Sequence, residues 1–126
     1  MKVRLEKQTE ELTEKVIGAA FEVLNELGHG FLEGVYQRAL TYELALKGLS
    51  VKEQVAFQIL YKDSPVGNYY ADMVVENRVI VELKNVDKIV PVHVGQVVNY
   101  LRASGISVGL LLNFNKPRLE YRRILL

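Results

Sequence analysis

The hydrophobic pattern of this chain changes period once, near Gly48, and that change decides what kind of fold it can make. Before it, apolar residues recur at three- and four-residue spacing. Leu12, Val16, Ala20, Val23, Leu24 and Leu27 form one stripe, opened by Thr9 with Glu10 and Glu11 behind it and closed by Gly28 and Gly30. A hydroxyl cap, acids in the first turn and glycine past the end punctuate a helix. A second helix is expected over residues 31–47, with Leu32, Val35, Tyr36, Ala39 and Leu40 on its apolar side and Gly48 beyond it. After Gly48 the period drops to two: Val51, Glu53, Val55, Phe57, Ile59 and Tyr61 alternate with mostly polar neighbours, as a half-buried strand does. Lys62-Asp63-Ser64-Pro65 reads as a turn, and strands are expected over 66–75 and 79–84, with Glu76-Asn77-Arg78 between them. Pro91 suits a helix start; Val94, Val97, Val98 and Leu101 give that helix its stripe, and Gly105 closes it. Residues 107–114 are almost wholly apolar, which predicts a strand covered on both faces, and 119–126 form a last, shorter strand. Two helices, three strands, a helix and two strands predict an α/β (mixed α+β) fold, a mixed sheet with helices packed on it.

Against that pattern, one strand carries charges in the wrong place. Val79-Ile80-Val81-Glu82-Leu83-Lys84 sets Glu82 among aliphatic residues, and Lys84, two positions on, shares its face. A symmetric hairpin folded about Asn77 sets Asp72 opposite Glu82 and Tyr70 opposite Lys84. Two carboxylates facing each other across a strand pair destabilise a sheet, by up to about 1 kcal/mol when exposed and by more where water is excluded. Either Glu82 and Lys84 form a surface ion pair, or the carboxylates share a divalent cation. Hard oxygen ligands suit Mg²⁺ or Mn²⁺. The chemistry that fits the second reading is metal-assisted hydrolysis of a phosphodiester, with Asp72 and Glu82 as ligands and Lys84 orienting the attacking water or stabilising negative charge.

Composition sets the limits. A chain of 126 residues fits one domain, expected over 1–126. Having no cysteine, it can make neither disulfides, cysteine zinc sites nor thiol chemistry. Residues 2–15 interleave Lys2, Arg4, Lys7 and Lys15 with Glu6, Glu10, Glu11 and Glu14, so no signal peptide is expected, and no run is long enough to span a bilayer. The expectation is a cytoplasmic protein without membrane contact. The net charge is only +1, but it is uneven: residues 1–48 hold six basic and eight acidic side chains, residues 49–126 ten and seven. Lys116, Arg118, Arg122 and Arg123 stand against Glu120 alone, which reads either as a solvated edge strand or as a phosphate-contacting patch.

Asp72 followed by Glu82-Leu83-Lys84 resembles the D…(D/E)xK signature of PD-(D/E)xK nucleases, with Ala71 where proline is usual. Gly30-Phe31-Leu32-Glu33-Gly34-Val35-Tyr36 looks like the motif of the GxxExxY family within that superfamily, as do its flanks, the Gln96–Leu101 segment and the strand through Phe114; His29 departs from it where proline is expected. The resemblance runs from about Leu12 to Leu126. It implies a restriction-endonuclease-like three-layer fold with a central mixed sheet flanked by helices. It also implies a Mg²⁺- or Mn²⁺-dependent nuclease, acting on DNA rather than RNA, with Glu33, Asp72, Glu82 and Lys84 catalytic and Asp72, Glu82 and Glu33 as metal ligands. Gln96 and Tyr100 resemble the QxxxY element of RecB-like nucleases; with His93 on the same helix face they are expected to position substrate or brace Lys84. Without the motif, Glu33 reads as an exposed helix acid, Tyr36 as a packing residue and His93 as structural. Two further readings use the same fold: a nucleic-acid-binding or regulatory module with little activity, and an interaction protein that works only with a partner chain. A chain this small has little surface for gripping a duplex, so a homodimer is expected.

Overall fold

A computed structural model describes residues 6–126; of the expected domain, residues 1–5, with Lys2 and Arg4, lie outside the described residues. The order is α1 (Lys7–Leu27), α2 (Glu33–Leu46), β1 (Val51–Tyr61), β2 (Ser64–Val75), β3 (Val79–Lys84), α3 (Pro91–Ser104), β4 (Val108–Asn113) and β5 (Glu120–Leu125). The strands make one sheet in chain order, β1-β2-β3-β4-β5. Every neighbouring pair is antiparallel except β3 and β4, which run parallel, with α3 as the crossover. A central mixed sheet between helices is the expected architecture.

Two apolar layers cover the sheet. On one side α1 and α2 bury Val16, Ala20, Leu24, Tyr36, Leu40 and Leu44 against Met73, Val81, Leu83, Leu110 and Leu112. On the other, Val97 and Leu101 of α3 pack on Ile80, Leu111 and Ile124. β4 is buried at every position, as its apolar run requires. Gly109 explains how closely α3 approaches it: a Cβ there would stand 2.8 Å from Val97 Cγ1. Gly105 ends α3 in the left-handed region, at φ 75°.

Several expectations shift. α1 starts at Lys7, before Thr9. Leu27 and Leu32, assigned to apolar stripes, are exposed, because each lies where its helix meets the loop 28–32 rather than over the sheet. Ser64 and Pro65 belong to β2, since Lys62 and Asp63 alone make the turn, with φ 49° and 65°. That left-handed pair matches the twist of the hairpin it joins. The alternation of β1 does not continue to its end: Ile59 and Tyr61 are exposed on the arm that leads to the β1–β2 turn.

Candidate functional site

The site begins where β2 leaves β3. The hairpin about Asn77 has the expected register from Val75/Val79 to Met73/Val81, and there the pairing stops. Met73 faces the α1–α2 layer, whereas Ala71, two residues earlier, faces the α3 layer. Strand alternation forbids that for a regular strand, so β2 turns over at Asp72. β1 turns with it: Gln54 lies at φ 50° between the paired residues Glu53 and Val55. Consequently Tyr70 does not pair with Lys84, contrary to the symmetric hairpin.

Side chains replace the ladder at the opening. The Asp72 N–H donates to Glu82 Oε1 at 3.1 Å, and the Leu83 N–H donates to Asp72 Oδ2 at 2.9 Å. Each carboxylate therefore satisfies a main-chain donor of the opposite strand, and the two acids are held facing each other. The Tyr69 hydroxyl also donates to Glu82 Oε1, at 2.9 Å. Glu82 is only 8% exposed. Burial, and then the charge of Asp72, push its carboxyl up to about 8. Burial and the Glu82 charge raise the Tyr69 hydroxyl far above the usual phenol range, so it remains a donor. This surface is not a solvated ion-pair face: Glu82 bonds to a buried tyrosine and to the backbone, not to Lys84.

Glu33 is the first residue of α2, and the loop before it is tied to the end of β3. Tyr36 Oη donates to the Gly28 carbonyl at 2.6 Å and accepts from the Phe31 N–H at 3.1 Å, while its ring stacks on Phe114 at 4.8 Å. Asn85 Nδ2 donates to the Phe31 carbonyl at 3.2 Å. Burial raises the Glu33 carboxyl, the charge of Asp72 adds to the rise, and Lys84 opposes it. Glu33 therefore feels the charges of both Asp72 and Lys84.

The third helix contributes less directly. The Tyr100 ring stacks on Tyr69, with centroids 3.5 Å apart and planes 11° from parallel. Its route into the site is through Tyr69 to Glu82, instead of through Lys84. Gln96 lies one turn earlier and is exposed. His93 Nδ1 accepts from the Val90 N–H at 3.1 Å and so caps the start of α3, which is the structural role.

Three contributors were not singled out from the sequence. Tyr69 lies on the expected strand, but its partner is set by the turnover at Asp72. Gln37 Nε2 reaches the Asp72 carbonyl at 3.4 Å, a contact across the fold that local spacing cannot show. Asn85 follows Lys84, and among the described residues its Oδ1 is the buried side-chain atom without a hydrogen-bond partner. A polar residue at the end of an apolar strand was the signal for it.

The donor set suits a hard cation, since two adjacent carboxylates leave Asp72 Oδ1 and Glu82 Oε2 free of the bonds above. Among the described residues, no three acidic, histidine or cysteine side chains close into a ready-made cage. Asp72 and Glu82 therefore fit as anchors of a site that water or substrate completes.

The crystal structure of SSO0001 matches 90% of this chain and 77% of its own, at 18% identity and a TM-score of 0.51, which is a likeness of fold. No curated protein matches. A family model described as the PD-(D/E)XK nuclease superfamily matches residues 10–124. The five-stranded mixed sheet flanked by helices is the restriction-endonuclease-like arrangement of that superfamily, and the aligned span includes Glu33, Asp72, Glu82 and Lys84. This chain belongs to the PD-(D/E)XK nuclease superfamily.

Proposed function

We propose that the protein is a Mg²⁺-dependent (or Mn²⁺-dependent) nuclease that hydrolyses phosphodiester bonds of DNA, with Asp72, Glu82 and Lys84 as its centre and Glu33 beside them. The observation that carries this is the reciprocal bonding of Asp72 and Glu82 where β2 and β3 part. A fold that merely tolerated two acids would let them diverge into solvent; this one ties them together, with Glu82 buried and Asp72 half-buried. Superfamily membership supports nucleic acid as the substrate, and the Gly30–Tyr36 motif supports placement in the narrower GxxExxY family.

A divalent cation held by Asp72 and Glu82 would neutralise phosphate charge and acidify a bound water. The chain's own residues prepare the rest. Tyr69 and the Asp72 N–H hold Glu82 Oε1, so that Oε2 stays directed by a fixed carboxyl plane. Leu83 N–H does the same for Asp72. Lys84, half-buried at the end of β3, orients the attacking water and stabilises charge on the phosphoryl oxygens. Glu33 acts through water, as a third carboxylate beside the pair. Gln96 and Tyr100 line the α3 side and position substrate, with His93 as the cap that sets the helix. The reading includes a single domain over 1–126, a cytoplasmic location, where nucleic acid and Mg²⁺ are both present, and a homodimer.

The test is a cleavage assay on linear, circular and single-stranded DNA and on RNA, with Mg²⁺, Mn²⁺ or EDTA. Glu82→Ala and Lys84→Ala proteins run in parallel. Cleavage of DNA that needs the cation, with losses of at least about a hundredfold in both variants, is expected. No cleavage of any substrate, together with Mn²⁺ binding unchanged in Glu82→Ala, overturns the proposal.

A further inference from the structure

The loop 85–90 and the turn 114–119 lie at the same end of the sheet as the carboxylate pair. This follows from the parallel pairing of β3 and β4, which sets Lys84 beside Asn113. The Phe114 N–H donates to the Lys84 carbonyl at 3.1 Å, so the turn begins against the catalytic strand.

A buried polar clasp joins these two segments. Asn113 is fully buried within an otherwise apolar strand. Its Oδ1 accepts from the Val86 N–H at 3.1 Å and the Asn115 N–H at 3.2 Å. Its Nδ2 donates to the Val86 carbonyl at 2.8 Å and to Glu120 Oε1 at 3.0 Å. The same Glu120 oxygen accepts from the Ile89 N–H at 3.0 Å. All the amide capacity of Asn113 is thus spent on holding the loop after β3 to the turn after β4. A buried network of this kind rigidifies what it joins.

The held segments display cations. Lys116 and Arg118 are exposed in the turn, and Lys88 is exposed in the loop. The ion pair found among the described residues is Lys47–Glu43, so Lys116 and Arg118 have none there. Glu120 is the acid of residues 114–126, and its carboxylate is turned into the clasp. Burial opposes its ionisation, but the bonds from Asn113 and Ile89 and the charges of Lys116 and Arg122 outweigh that and lower its carboxyl below the usual range. It offsets part of the Lys116 charge and leaves Arg118 free. Asp87 stands beside Lys88, so most of the net charge comes from the turn.

A site built on Glu33, Asp72 and Glu82 repels a polyanion as its carboxyls ionise, until a cation and nearby basic groups offset it. The chain's net charge of +1 supplies no general attraction. We propose that the clasped turn and loop form a phosphate-gripping platform, in which Lys116 and Arg118, assisted by Lys88, hold the nucleic-acid backbone beside the scissile bond. The platform rests on the nuclease reading for its substrate, yet it is a binding device and is measurable without hydrolysis.

The experiment is fluorescence anisotropy of a labelled DNA duplex and its single strand, with Ca²⁺ in place of Mg²⁺, across a series of salt concentrations. Lys116→Glu/Arg118→Glu is compared with wild type and with Lys7→Glu/Lys15→Glu, which makes the same change of net charge on the exposed face of α1. The turn variant is expected to bind about tenfold or more weakly, and its log–log salt dependence is expected to flatten by about two. The α1 variant stays near wild type. Lys116→Arg/Arg118→Lys, which keeps the charges, restores binding. In Mg²⁺ the turn variant raises KM and leaves kcat nearly unchanged. Equal binding and equal salt slopes in wild type and turn variant overturn the platform while leaving the nuclease reading intact. Equal losses in the turn and α1 variants also overturn it, since they reduce the effect to overall charge. Loss confined to the turn variant, with no hydrolysis by wild type and Mn²⁺ binding unchanged in Glu82→Ala, upholds the platform and removes the nuclease reading.

Discussion

At the scale of single residues, Glu82 carries the most energetic consequence. Its carboxyl stands at about 8 in the folded protein because burial, and then Asp72, disfavour its charge. In the unfolded chain it returns to the ordinary glutamate range. Below that range both states hold the proton and Glu82 imposes no pH dependence. As pH rises between the two values, the unfolded chain releases its proton while the folded protein keeps it, so stability falls across that window. The cost above it is on the order of a few kcal/mol. Thermal melts in EDTA from pH 5 to 9 are expected to show a declining midpoint for wild type. In Glu82→Gln, which keeps an acceptor for Tyr69 and the Asp72 N–H, the decline is expected to be shallower and the midpoint at pH 9 higher. Added Mg²⁺ is expected to raise the wild-type midpoint but not that of the variant. Parallel declines in the two proteins would show that Glu82 is not the group responsible. Both acids were legible in the sequence because a charge inside an aliphatic strand is conspicuous. Tyr69 was not, because a tyrosine on an alternating strand looks like packing until the turnover at Asp72 aims its hydroxyl at Glu82.

At the scale of elements, legibility followed burial. β3 and β4 lie where their apolar runs placed them, and α3 runs between Pro91 and Gly105, because these elements are defined by the core they fill. The elements misjudged were those that leave the core: the tip of the β1–β2 hairpin and the ends of α1 and α2, where exposure removes the pattern. The approach of α3 to β4 leaves no room for a side chain at Gly109. Gly109 admits Val97 and Leu101, whose side-chain carbons would stand 2.8 Å and 3.5 Å from a Cβ. Neither neighbour can retreat freely, since Val97 is 1% exposed and Leu101 fully buried. Gly109→Ala is therefore expected to destabilise the protein by about 1–3 kcal/mol through overpacking. Adding Val97→Ala should recover part of that loss, because the clash and the cavity are neighbours and couple. Urea denaturation of the two single variants and the double variant measures both effects. A neutral Gly109→Ala would show that α3 sits further from the sheet.

At the scale of the whole molecule, the proposed homodimer can be tested at the β1–β2 arm. Its outer half exposes Ile59, Leu60, Tyr61 and Val66 at 40–63% of their surface. β1 is also an edge strand, with main-chain groups open to another strand. Neither feature was visible in the sequence, where the alternation of β1 read as one continuous half-buried strand. The arm costs an exposed apolar surface, and a second copy of the chain would cover it while giving the assembly two sites on one substrate. An isologous pairing about a two-fold axis buries the same patch from both sides. Light scattering coupled to gel filtration is expected to give a mass near twice the 14.3 kDa of the chain at micromolar concentration. Leu60→Glu/Val66→Glu places charge on the arm without touching either buried layer, and is expected to return the mass to that of the monomer with no loss of thermal stability beyond the lost association. A wild-type monomer across the micromolar range rejects the homodimer, and a dimer that survives both substitutions moves its interface away from the arm.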